Sequence, residues 1–217
     1  MADTERAILA IDLSARGEGM ALVADQAGKV IALQERITGV AGLVGAMSSL
    51  LTVPGPPLAQ VVVARGPGSY MGVRSALAAA VGVAQARGLC LGLVGSLEVQ
   101  ANRVPLEADS LLVVVPAGRG GLYMQRFLPL ANVGPGAWVP DSPAMLTRDA
   151  AGSAELLPPC ALVFDQSGGH EDLRGLPPGA VRSGAGALAL LASWGRFDLS
   201  GYDLVSADYG VKVGENT

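Results

Sequence analysis

The apolar positions of this chain come first in short, nearly continuous runs and then in helical spacing. Ala7 to Leu13 (AILAIDL) is apolar almost throughout and carries Asp12 near its end, the pattern of a buried strand. Turn residues at SARGEG lead to a second run, Met20 to Ala24. DQAGK, with Gly28 suited to a hairpin, leads to a third at Val30 to Ile37. The three runs predict an antiparallel meander. From Thr38 to Thr52 the spacing changes: Val40, Leu43, Val44, Met47, Leu50 and Leu51 recur at three and four residues, which predicts a helix. Gly39, Gly42 and Gly45 weaken that helix by about 1 kcal/mol each relative to Ala, so packing must hold it together. Pro54 to Pro57 ends it.

The next thirty residues are the most informative. Leu58 to Ala64 (LAQVVVA) predicts a buried strand, and Met71 to Arg87, rich in Ala and free of Pro, predicts a helix. Between them Gly66-Pro67-Gly68-Ser69 turns the chain and places Ser69 as the helix N-cap. Such a turn presents backbone N–H groups to an anion or a partner in many α/β proteins. This one lacks the Gly-Lys-Ser/Thr ending of a P-loop, and Gly66, Gly68 and Gly72 miss the GxGxxG spacing by one residue. The commoner role for glycines here is to make the turn and let the helix sit close to the sheet. The helix itself is apolar nearly all round. Val73, Leu77, Val81 and Ala84 line one side, and Ala76, Ala79, Val83 and Ala86 line much of the other. One side meets the chain's own sheet. The other is open to the Val40–Leu51 helix, a partner, or both.

Leu89 to Val94 predicts a further strand, and Ser96 an N-cap for SLEVQANR. The second half again begins with a buried strand, Ser110 to Val115, turned by Gly118, Gly120 and Gly121 into Leu122 to Leu128. A Pro- and Gly-rich stretch spans Pro129 to Pro143, and Ser142 within it is expected to cap a short helix to about Ala150. Ala161 to Asp165 predicts a strand, Gln166 to Gly169 a loop, Ala185 to Trp194 a helix, and Asp203 to Thr217 an extended or irregular tail. Alternating strands and helices of this kind predict an α/β fold with mixed sheets and helices on their faces.

Composition narrows the chemistry. The chain has 217 residues, half of them hydrophobic, a net charge of −4 and no run of Lys and Arg, which argues against direct nucleic-acid binding. Cys90 and Cys160 are far apart and fit no metal spacing, as expected of a reduced, cytoplasmic chain. The acidic MADTERAILAID start is not a signal peptide, and the Val73–Val94 stretch is interrupted by Arg74, Gln85 and Arg87, so no membrane span is expected. A single histidine, His170, excludes a two-histidine metal site within the chain and leaves a Ser-His-Asp triad with only a loop histidine to use.

The string RGPGSYMGVRSALAAAVGVAQ, followed by LGLVGSLEVQA and preceded by the ILAIDLS opening, resembles the bacterial TsaB (YeaZ) family. Arg65, Gly66, Pro67, Gly68, Ser69, Gly72 and Arg74 match that family's loop directly, with Tyr70 as its aromatic. The resemblance is strongest over residues 7–103. It implies the two-lobed ASKHA fold of actin, Hsp70 and sugar kinases at reduced size, with one lobe over 1–103 and a degenerate one over 104–217, whose last segment packs back on the first. It also implies a non-catalytic platform in the synthesis of N6-threonylcarbamoyladenosine at position 37 of tRNA. Such a platform pairs with TsaD, which holds metal and transfers the threonylcarbamoyl group, and recruits the ATPase TsaE. It meets tRNA only through the complex.

On that resemblance the expected docking residues are Val40, Leu43, Met47, Ala76, Ala79, Val83 and Ala86, on the first two helices. The same helices would pair two copies when the chain is alone. Asp12, Arg65, Gly66, Gly68, Ser69 and Arg74 are the residues expected to meet an anion, with ATP or ADP held at a composite interface rather than tightly by this chain. No catalytic residue or metal ligand is expected. The alternative is an ASKHA-type phosphotransferase using Asp12. Against it, Leu13 and Ser14 follow Asp12 where those enzymes carry a glycine turn, and Pro116 and Gly121 replace the family's acids in the PAGRGGLY hairpin, where Ala117, Gly120 and Tyr123 survive. Asp208 to Lys212 only faintly echoes the family's C-terminal motif, and the histidine often found near Arg36 to Val40 is missing. A glycoprotease reading needs a pair of metal-binding histidines that one histidine does not supply.

Overall fold

The computed structural model describes residues 6–15, 19–26, 28–102, 109–118, 121–130 and 138–148, together with three short strands further along the chain. The expected loop at 166–169, the expected helix at 185–194, His170 and Cys160 lie outside the described residues.

The meander forms as the alternation predicts: β1 (Ala7–Asp12), β2 (Gly19–Asp25) and β3 (Val30–Ile37). Helix α1 (Gly39–Leu51) follows, then β4 (Leu58–Ala64), α2 (Tyr70–Arg87) and β5 (Cys90–Val94). A one-and-a-half-turn helix, α3 (Ser96–Ala101), closes this part. β1 pairs antiparallel with β2 and parallel with β4, and β4 pairs parallel with β5. The first sheet therefore has the order β11-β5-β4-β1-β2-β3, with β11 (Asp198–Leu199) pairing antiparallel with β5 from far along the chain.

The central strands are buried on both faces, which is why they read as unbroken apolar runs rather than alternating ones. On one face Leu9, Ile11, Val61 and Val63 pack beneath α1 and α2, meeting Leu43, Met47, Val73 and Leu77. On the other, Ile8, Ala10, Leu22, Val62 and Ala64 form a second cluster that includes Val99 of α3.

The second sheet contains β6 (Leu111–Gly118), β7 (Gly121–Pro129), β9 (Met145–Thr147), β10 (Ala161–Phe164) and β12 (Val211–Lys212), in the order β10-β6-β7-β9-β12, and β8 (Trp138–Pro140) pairs with β7. Leu111, Val113, Phe127 and Trp138 make its core, and α3 contributes Leu97 and Ala101 to it.

Two expectations are corrected. Ser142 caps no helix: residues 145–147 form β9, because its edges find partners in both β7 and β12 and a sheet ladder satisfies that backbone. The Pro- and Gly-rich stretch before it also yields a strand, β8, tied to β7 by the Arg126–Asp141 ion pair at 3.2 Å. Ser96 is the first residue of α3 rather than its cap. Gly95 holds the cap position, and the Ser96 hydroxyl is turned to the loop after β4.

Candidate functional site

The loop between β4 and α2 is built by close approach to the end of β1. The Ser69 N–H donates to the Ser14 carbonyl at 2.7 Å, and the Ser14 N–H donates to Asp12 Oδ1 at 2.8 Å. A methyl group on Gly68 would lie 2.6 Å from both Cβ and the carbonyl oxygen of Ser14, and one on Gly72 would collide with the Leu13 carbonyl. These two glycines let the start of α2 rest directly on the β1 turn. Ser69 caps the helix as predicted, its hydroxyl accepting the Gly72 N–H at 3.4 Å. The other end of the loop is clamped by a reciprocal pair: the Gly66 N–H donates to Ser96 Oγ at 3.1 Å, and the Ser96 N–H to the Gly66 carbonyl at 2.8 Å.

The structure thus brings Asp12, Gly68 and Ser69 together around Ser14, while Gly66 is held by Ser96. Three N–H groups of the loop and the first turn of α2, those of Gly66, Ser69 and Gly72, are committed to partners in the chain itself. Asp12 is only 3% exposed and caps the Ser14 turn. Among the described residues no group of three His, Cys, Asp or Glu side chains could hold a metal ion. Arg65 is partly buried, its N–H bonded to the Val94 carbonyl. Arg74 stands apart on the exposed side of α2, where its guanidinium hydrogen-bonds the Tyr70 hydroxyl and lies 4.9 Å from the ring centroid.

The outer faces of α1 and α2 form the other candidate site. Val40 is 59% exposed and Val44 60%. At the start of α2, Tyr70 is 53% and Met71 66% exposed. Along α2 the outward row runs Met71, Arg74, Ala78, Gly82 and Gln85, all exposed. Among the described residues nothing beyond their own helix backbone lies within 4 Å of where a Cβ on Gly45 or Gly82 would stand. Five large or small apolar residues and two bare helical glycines thus face outward on neighbouring helices.

This placement revises part of the expected docking set. Val40 and Ala86 are exposed, as docking residues must be. Leu43, Met47 and Ala76 are buried in the core under the helices, so they cannot form the outer surface. Ala79 and Val83 are half-buried and pack against that same core. The outward row lies one residue earlier, at Ala78 and Gly82. Val44, Tyr70, Met71, Ala78 and Gly82 are the surface residues the sequence analysis did not single out for docking. Val44 stood in the apolar repeat, but that repeat alone does not give the phase of the helix.

No helix among the described residues is long and apolar enough to cross a membrane. No curated protein matches the chain by sequence. Residues 46–134 match the family model for TsaD, tRNA N6-adenosine threonylcarbamoyltransferase. Two solved structures superpose over nearly the whole chain. YeaZ from Pseudomonas aeruginosa is 18% identical and gives a TM-score of 0.68, over 94% of this chain and 99% of that one. An uncharacterized protein with similarity to peptidase YEAZ from Pseudomonas aeruginosa is also 18% identical and gives 0.69 over the same shares. The chain has the YeaZ fold, an ASKHA-like α/β architecture at reduced size.

Proposed function

We propose that this chain is a TsaB-type platform subunit in the synthesis of N6-threonylcarbamoyladenosine on tRNA. It pairs with a TsaD-type transferase through the outer faces of α1 and α2 and offers a docking surface to TsaE. Residues 1–103 serve as the docking lobe and residues 104–217 as its degenerate companion. The observation that carries this reading is the outward apolar face of the two helices, with Val40, Val44 and Met71 each more than half exposed on a YeaZ-like fold. An apolar face of that kind favours cover by a partner. The match of residues 46–134 to the TsaD family model supports the same pathway. A nucleotide, where it meets this chain, does so at the composite interface beside Arg74.

The buried, turn-capping position of Asp12 weighs against the phosphotransferase reading, since a carboxylate that orients metal on a nucleotide must face an open cleft. The deciding experiment mixes this chain with TsaD and TsaE from the same organism in size-exclusion chromatography with light scattering, with and without ATP. Co-elution with TsaD is the expected result. Absence of any complex under every nucleotide condition would overturn the platform reading.

A further inference from the structure

We propose that α3 is a two-ended latch that makes the loop before α2 and the Trp138 end of the second sheet open and close as one unit. At its N-terminal end the latch is the reciprocal Ser96–Gly66 pair. At its C-terminal end it is a second reciprocal pair: Asn102 Nδ2 donates to the Trp138 carbonyl at 3.2 Å, and the Trp138 N–H donates to Asn102 Oδ1 at 2.9 Å. Asn102 is buried and also donates to the Glu98 carbonyl at 2.9 Å, so one side chain both finishes the helix and grips β8.

Between the two clamps every residue of α3 except Glu98 is buried. Val99 belongs to the cluster on the first sheet, while Leu97 and Ala101 belong to the core of the second. Six residues are too few to stay helical on their own, so α3 holds its shape only while both sheets and both clamps hold it. Releasing the Trp138 end removes one of those supports. The helix then loosens, and with it the Ser96 groups that fix Gly66. The loop loses its hold at Gly66, while its far side stays fixed to Ser14 through Ser69. The bearing of this coupling on docking rests on the reading above, since Tyr70 and Met71 directly follow the loop. The coupling itself does not.

Native-state hydrogen exchange on the full chain tests the latch without any partner. In wild type, at a series of low urea concentrations, the amides of Gly66, Ser96 and Trp138 should share one opening, with one urea dependence smaller than that of the central β4 amides. Separate openings, with Trp138 released at lower urea than Gly66, would overturn the proposal, as would a shared urea dependence equal to that of the central β4 amides, which marks global unfolding. In Asn102→Ala the amides of Gly66, Ser96 and Trp138 should exchange about tenfold faster or more, still through an opening that leaves the central amides of β4 the better protected. Acceleration confined to Trp138 would overturn it equally. Should the variant unfold as a whole, the wild-type urea series decides alone.

Discussion

Gly68 lies so close to Ser14 that a single added methyl group would sit 2.6 Å from the serine Cβ. That contact sets the distance between the end of β1 and the start of α2. Gly68→Ala must push the two apart, against the 2.7 Å Ser69–Ser14 hydrogen bond. A loss of about 1–3 kcal/mol is expected, the usual cost of overpacking, and urea unfolding measures it. Wild-type stability in the variant would mean that the loop can move aside freely.

Asp12 is expected to act on the fold rather than on a substrate. Asp12→Asn keeps an acceptor for the Ser14 N–H and should leave stability nearly unchanged. Asp12→Ala leaves that N–H without its acceptor in a buried turn and should cost about 1–3 kcal/mol. Both comparisons are made by thermal or urea unfolding. ATP turnover assayed in parallel should be at background for wild type and Asp12→Asn alike. Turnover by wild type that Asp12→Asn abolishes would establish chemistry at this carboxylate.

The phase of α2 makes a sharp prediction for pairs of neighbouring alanines. Ala78 is exposed and Ala76 fully buried, two positions apart on one helix. Ala78→Glu should give a chain folded as wild type by circular dichroism, with pairing to TsaD weakened about tenfold or more, as a charge in an apolar contact requires. Ala76→Glu should not fold, because it places a carboxylate in the core between helix and sheet. Unimpaired pairing by Ala78→Glu would move the docking surface elsewhere.

Gly82 separates stability from function. Among the described residues nothing occupies the space a Cβ would fill there, so Gly82→Ala should stabilise the chain by about 0.4–1 kcal/mol. If a partner helix packs against this backbone, the same change should weaken TsaD pairing. A variant both more stable and undiminished in pairing would show that the interface does not use Gly82.

Most of the first sheet was legible because its strands are buried on both faces and announce themselves as unbroken apolar runs. β3 and β4 have the bounds that the pattern predicted. The N-cap at Ser69 was legible for a local reason, a hydroxyl three residues before the N–H it accepts. The facing of α2 was not. Ala and Gly occur on every side of that helix, so periodicity cannot say that Ala78 points outward and Ala76 inward. The role of Ser96 was hidden for a different reason: its partner, Gly66, lies in a separate loop, and no local pattern reveals a long-range clamp. β9 was misread as helical because three residues carry too little periodicity, and only its neighbours β7 and β12 make it a strand.

The short strand Asp198–Leu199 beside β5 bears on how the chain is made as well as on how it stands. β1 to β5 are made first, yet the place beside β5 in their sheet is filled by residues synthesised well after them. Until then the outer edge of β5 has no ladder partner from β11, and its free backbone groups are open to pairing with another nascent chain. The first sheet is thereby complete only once residues 198–199 have been made, and truncations that stop after α3 should be prone to aggregation rather than yield a smaller working unit.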